Sequence, residues 1–214
     1  NTGPVATLAS GDINSPLTGT DMSNTESLVL DGDIGILIEG DIISKISASE
    51  ELADEFGTED NSTLRVIDCQ GKAIIPGFVD SHTHLLWGGD RANEMQLRHN
   101  GLTYSDIAKS GGGIQKTVKY TRNISNNSLT QLGMKRITRA LEFGTTTMEC
   151  KSGYGLSVDS ELKLLEVNQL LSELTQMSLH STWLGAHDVP KGMSMRDYVD
   201  ELIHIQLPAV VDQG

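Results

Sequence analysis

The stretch DSHTHLLWGGDR, from Asp80 to Arg91, gathers several groups able to do chemistry. His82 and His84 lie two residues apart, directly after the apolar run IIPGFV. On a β-strand, residues i and i+2 face the same side, so both imidazoles point at one place. Two neutral imidazoles converging there are good ligands for zinc or another divalent metal. A histidine can equally satisfy an ordinary hydrogen bond in a core, and the spacing alone leaves that reading open. Arg91 carries a planar fork that matches a carboxylate. Paired with Asp90 or Glu94, it would instead be a plain surface arginine. Further along, KSGYG holds Tyr154 between glycines that permit a tight turn, and His187 closes the apolar segment TWLGAH.

These residues need a scaffold, and the hydrophobic pattern suggests one. Residues 1–30 are polar and without a clear period. GDIGILIEGDIISKISA (Gly32–Ala48) reads as a β-hairpin turning at Gly40-Asp41. Glu50–Asp60 reads as a short acidic helix or loop. Leu64 onward gives strand, turn at Gly71, strand, and a break at Pro76-Gly77. Alternating units follow. Strands are expected at Phe78–His84, Thr145–Cys150 and Leu179–His187. Helices are expected at Ser128–Gly144, with Leu129, Leu132, Ile137, Ala140 and Leu141 near one face, at Val158–Leu174, capped by Asp159 or Ser160, and at Ser194–Ile205. Pro208 starts or kinks what comes next. Strand–loop–helix units in series predict a parallel α/β sheet or barrel, preceded by a small β module. The expected boundary lies near Pro76, dividing the chain into 1–75 and 76–214.

Composition narrows the partners. The 214 residues carry 29 acidic and 16 basic side chains, a formal charge of −13. Nucleic acid and anionic membranes both demand a positive surface, so neither is an expected partner. No apolar run approaches the roughly 20 residues that span a bilayer. Cys69 and Cys150 form no CxxC pair, which favours a reducing compartment, and the start lacks the basic and apolar regions of a secretory signal. The expected location is the cytoplasm. Sequons at Asn61, Asn123 and Asn126 carry weight only on a secretory route.

IIPGFVDSHTH resembles the opening signature of the amidohydrolase superfamily, metal-dependent hydrolases built on a (β/α)8 barrel with a small flanking β-sandwich. Three more segments, GGDRANEMQLRHNGLTYSDIAKSGGGIQKTV, GTTTMECKSGYGL and LGAHDVP, are similar to its histidine-degrading branch, in the same order. The resemblance runs from about Ile36 to Gly214. It implies hydrolysis of the cyclic amide of 4-imidazolone-5-propanoate to N-formimidoyl-glutamate. It also implies one divalent or trivalent metal ion, Zn or Fe, per subunit, with His82 and His84 among its ligands. By the same resemblance Arg91 binds the substrate carboxylate and Tyr154 contacts substrate and product. His187 binds the imidazolone ring and stabilises the developing oxyanion. The bland alternatives are a tyrosine packing its loop and a buried histidine bonded to backbone. The glycine run Ser110–Ile114 would border the pocket. Lys151 could touch it or be solvated. Glu149 and Cys150 end a strand near it without a catalytic signature, and His99, His180 and His204 read as structural or surface residues. A small-molecule substrate is the expected partner, and a homodimer is one assembly the resemblance admits.

An α/β barrel takes about 250 residues. In this family a third metal histidine, a catalytic glutamate and a metal aspartate come from later strands, and none can be assigned here. The chain is therefore expected to be an N-terminal fragment, inactive and poorly folded alone. Three other readings remain: a different cyclic-amide hydrolase of the hydantoinase or dihydroorotase kind, a non-catalytic relic or interaction module, and a secreted glycoprotein.

Overall fold

The computed structural model describes residues 2–9, 12, 15–57 and 64–214. The sequon at Asn61 and the end of the acidic segment Glu50–Asp60 lie outside them. The chain divides into two compact units, Asn1–Pro76 and Gly77–Gly214.

In the first unit, β1 (Val5–Ala6) pairs antiparallel with β2 (Val29–Leu30), which follows the single-turn α1 (Thr25–Leu28). The expected hairpin is present as β3 (Ile34–Glu39) and β4 (Ile42–Ala48), with a register shift at Leu37/Ile38. Gly40 takes φ +66°, the left-handed conformation that such a tight connection requires. The acidic segment forms α2 (Ser49–Phe56). The opening is thus not purely β. The segment before Gly71 forms no strand, with Val66 and Ile67 exposed, and the one after it pairs with the β1 segment in part: Ile74 bridges Val5 in parallel, its carbonyl accepting from Ala6 N–H and its N–H donating to the Pro4 carbonyl. Apolar residues make a strand only where a partner edge accepts their backbone groups.

The second unit carries a three-stranded parallel sheet in the order β5-β6-β7, with β5 at Phe78–Thr83, β6 at Thr145–Lys151 and β7 at Ser178–Thr182. Between β5 and β6 come α3 (Ala92–His99), α4 (Tyr104–Lys109), α5 (Gly113–Asn123) and α6 (Asn126–Glu142). The first three were not assigned from the sequence. Thr103 and Asp106 form a reciprocal capping box at α4. Helix α7 (Val158–Leu174) has the expected span, but its N-cap is Ser157. After β7, α8 (Met195–Glu201) continues through a π-helical turn at Leu202–Gln206 into α9 (Leu207–Gln213), with Pro208 in the first turn of α9. Proline brings no N–H to this junction, where the helical ladder has already widened to the π spacing.

The main core joins Leu85 and Leu86, just past β5, to Leu129 and Ile137 of α6, Met148 and Cys150 of β6, and Leu164, Val167 and Leu171 of α7. Leu141 stays exposed, so the buried stripe of α6 is narrower than expected. Gly133 lies where a Cβ would stand 2.5 Å from Leu171, which lets α6 and α7 approach closely. Polar side chains of α7 tie down its neighbours: Lys163 Nζ donates to the carbonyls of Thr121, Arg122 and Ile124, and Asn168 donates to the Cys150 carbonyl.

Candidate active site

The loops after β5 and β6, together with α5, line a pocket of about 340 Å³ through His84, Trp87, Asp90, Arg91, Thr117 and Tyr154. His84 comes directly after β5. Its ring stacks on that of His187 at 4.6 Å between centroids and lies 4.5 Å from that of Tyr154. The rings of Tyr154 and His187 are 5.2 Å apart. Three residues from the segments that follow the three strands therefore form one aromatic cluster. Burial and the neighbouring His187 push the His84 imidazole down to about 4, against a backbone contribution from Ser152 that opposes the shift. It is neutral at pH 7. Its Nδ1 is buried and makes no hydrogen bond. Burial also raises the Tyr154 phenol, while Arg91 acts the other way.

His187 differs from the strand-end position expected for it. β7 stops at Thr182, and His187 ends a 3-10 turn at Gly185–His187. The chain leaves the sheet early because Ser152, not a strand partner, accepts the Leu184 N–H. His187 Nδ1 lies 2.9 Å from the Gly153 carbonyl. A carbonyl only accepts, so Nδ1 carries the proton, and Nε2 is left to face a ligand. Bonding to backbone and a place beside the pocket are thus compatible for this residue.

Arg91 also combines its two readings. Its Nε pairs with Glu94 at 3.1 Å, and it lines the pocket. Glu94 is buried and accepts a second bond from Gly113 N–H at the start of α5. It thereby fixes both Arg91 and the glycine run beside it. Pairing at Nε leaves the terminal nitrogens of Arg91 available for a ligand. Arg136 supports the loop between His84 and Arg91: it donates to the carbonyls of Leu85 and Trp87 and stacks 3.2 Å from the Trp87 ring centre. Burial lowers its guanidinium to about 10, still charged at pH 7.

His82, on β5, is exposed and does not line this pocket, although its charge acts on His84. Lys151 pairs with Glu149 at 2.6 Å, and Glu149 also accepts from Thr182, so both are occupied at the sheet end. Cys150 is fully buried, which pushes its thiol up to about 12. His180 lies on β7, and His204 Nδ1 lies 3.0 Å from the Asp200 carbonyl of its own helix. A metal fits this site in part. His84 offers a neutral, half-buried imidazole whose Nδ1 is buried and unpartnered, and His82 stands two residues before it. Among the described residues no group of three or more His, Cys, Asp or Glu side chains could hold an ion.

Sequence reasoning missed Glu94 as a structural anchor, along with Trp87, Thr117 and Glu161. The spacing of Glu94 three residues after Arg91 was a usable signal. Nothing in the pattern marked Glu161, which looked like one more acid in the first turn of a helix.

Among the described residues no helix is long and apolar enough to cross a membrane. The amidohydrolase family profile matches residues 65–130. A probable imidazolonepropionase of Dictyostelium discoideum is 41% identical over 193 residues, 90% of this chain and 44% of that protein. The imidazolonepropionase of Alkaliphilus metalliredigens is 42% identical over 205 residues, 94% of this chain and 47% of its own length. That of Symbiobacterium thermophilum is 47% identical over 154 residues, 71% of this chain and 36% of its own. The chain spans less than half the length of these relatives. Along most of its length it is similar to imidazolonepropionases, and residues 65–130 within it bear the signature of the amidohydrolase family.

Proposed function

We propose that the full-length protein hydrolyses the ring amide of 4-imidazolone-5-propanoate. The observation that carries this reading is the meeting of Arg91, His84 and Tyr154 in one pocket, with His187 stacked on His84. Arg91 holds the substrate propionate through its terminal nitrogens, while Glu94 occupies Nε and keeps the fork aimed. Tyr154 flanks the ring. His187 meets it through Nε2, as an acceptor when neutral and as a donor to the developing oxyanion once protonated. His82 and His84 would be two of the ligands for one Zn or Fe ion, His84 offering its unpartnered Nδ1. Bound there, the ion supplies Lewis acidity and a water acidified to a pKa of roughly 7.

In this reading residues 76–214 are the first part of a (β/α) barrel, and residues 1–75 contribute to a flanking β-sandwich. The parallel order β5-β6-β7 supports the first assignment. The substrate is a small molecule, and the compartment is the cytoplasm. The test is turnover of 4-imidazolone-5-propanoate by the full-length protein, with hydantoin and dihydroorotate as competitors for the assignment. Preferential cleavage of the imidazolone, abolished by a chelator and restored by Zn or Fe, is expected. Cleavage of hydantoin instead would move the protein to another branch of cyclic-amide hydrolases.

A further inference from the structure

Glu161 lies in the first turn of α7 and is 0% exposed. A buried carboxylate is costly unless its oxygens are fully bonded. Here Oε2 accepts from Gly153 N–H at 2.8 Å, and Oε1 accepts from Gly155 N–H at 2.7 Å and Leu156 N–H at 2.8 Å. These donors bracket Tyr154 on both sides. The carbonyl edge of the same loop is held separately: Arg122 donates Nε to Gly155 and Nη2 to Leu156, and His187 Nδ1 meets the Gly153 carbonyl. Gly153 adopts φ +101°, and a Cβ there would meet the Leu184 carbonyl at 2.7 Å and His187 at 2.9 Å. The loop has little freedom of its own, and the carboxylate of Glu161 closes it.

We infer that Glu161 is a positioning residue for the pocket: it sets Tyr154 through the backbone on either side of it, and His187 through the Gly153 carbonyl. This rests on the function proposed above only for its kinetic consequence. Glu161 touches no substrate. It acts by fixing the backbone from which two ligand-facing rings are hung. Three charge-assisted bonds to one loop, next to the positive end of a helix, are more than a single cap needs.

The experiment is a double-mutant cycle in the full-length protein, with E161Q, Y154F and the pair. Glutamine keeps the shape but removes the charge and one acceptor. E161Q is expected to melt cooperatively and to lose up to about 100-fold in kcat/KM, the scale of a misplacement near 1 Å. In the Y154F background the same change should cost less than in the wild type, with the remainder passing through His187. The second readout is independent of turnover: the ring-nitrogen NMR signals of His187 should broaden or shift in E161Q. Additive losses together with an unchanged His187 signal would overturn the inference and leave Glu161 a structural residue. If the wild type does not cleave the imidazolone, the functional reading falls, and the His187 signal alone decides Glu161. If E161Q does not fold, R122K takes its place, since it loosens the carbonyl edge of the same loop and should give the same coupling to Tyr154.

Discussion

Among the described residues of Asn1–Pro76, Val5 and Leu28 are the buried hydrophobic side chains, and the hairpin leaves Ile38, Ile42 and Ile43 about 60% exposed. In Gly77–Gly214, two clusters bury side chains from strands, loops and helices together. The contrast shows where this chain invests its order. The first unit is held largely by backbone pairing. The second packs α6 and α7 onto the sheet and hangs every pocket residue from that packing. Chemistry needs groups fixed within a fraction of an ångström, and the unit with the core is the one that fixes them.

Leu171→Ala should widen that contrast most. Leu171 is fully buried between α7 and α6, so truncation is expected to cost about 2–5 kcal/mol. Urea denaturation followed by circular dichroism would measure it, and a loss below about 1 kcal/mol would mean the core is looser than its packing implies. Arg91→Lys comes next. A lysine cannot reproduce the fork while pairing with Glu94, so affinity for a carboxylate-bearing substrate should fall about tenfold, read as a rise in KM with little change in melting temperature. An unchanged KM would return Arg91 to the status of a structural ion pair.

Alkaline stability should fall mainly on the second unit. The Cys150 thiol is raised from about 9 to about 12 and the Tyr198 phenol from about 10 to about 12, both chiefly by burial. Each group stays neutral in the fold and ionises earlier in the unfolded chain. Its contribution is complete below the unfolded value and is lost as pH climbs to 12. Melting temperature should therefore drop between pH 9 and 12, and less steeply in Cys150→Ala. An equal slope would deny the thiol that role. The smallest effect is expected from Ile43→Thr in the hairpin, within about 0.5 kcal/mol, because the side chain is already 59% exposed. A loss above 1 kcal/mol would show that the first unit relies on apolar contacts as well.

Much of the second unit was readable beforehand. Helix α7 has the span that its period predicts, and β5 and β6 start at the expected residues, because strong apolar repeats decide whether an element exists. The helices between Ala92 and Asn123 went unread, since their apolar stripes are short and broken by glycines. The strand expected before Gly71 failed for a different reason: strand pairing is a property of two segments, and the sequence displays one at a time. The pocket shows the same division. Residue types announced Arg91, Tyr154, His84 and His187. Of the acids that place them, Glu94 left a signal in its spacing from Arg91, while Glu161 was silent, because a carboxylate that bonds backbone N–H groups leaves no pattern of residue types. His187, expected at a strand end, lies instead in a turn past β7, where the hydroxyl of Ser152, just beyond β6, takes the Leu184 N–H.

Helix α7 sends most of its side-chain hydrogen bonds to segments other than itself: Glu161 to the Tyr154 loop, Lys163 to the end of α5, Asn168 to β6. A mutational scan of this chain would consequently flag positions on α7 alongside those of the pocket, and a map drawn from tolerance alone would enter them as active-site residues. Variants of uncertain effect in α7 are better sorted by the N–H or carbonyl groups they release than by their distance from a ligand.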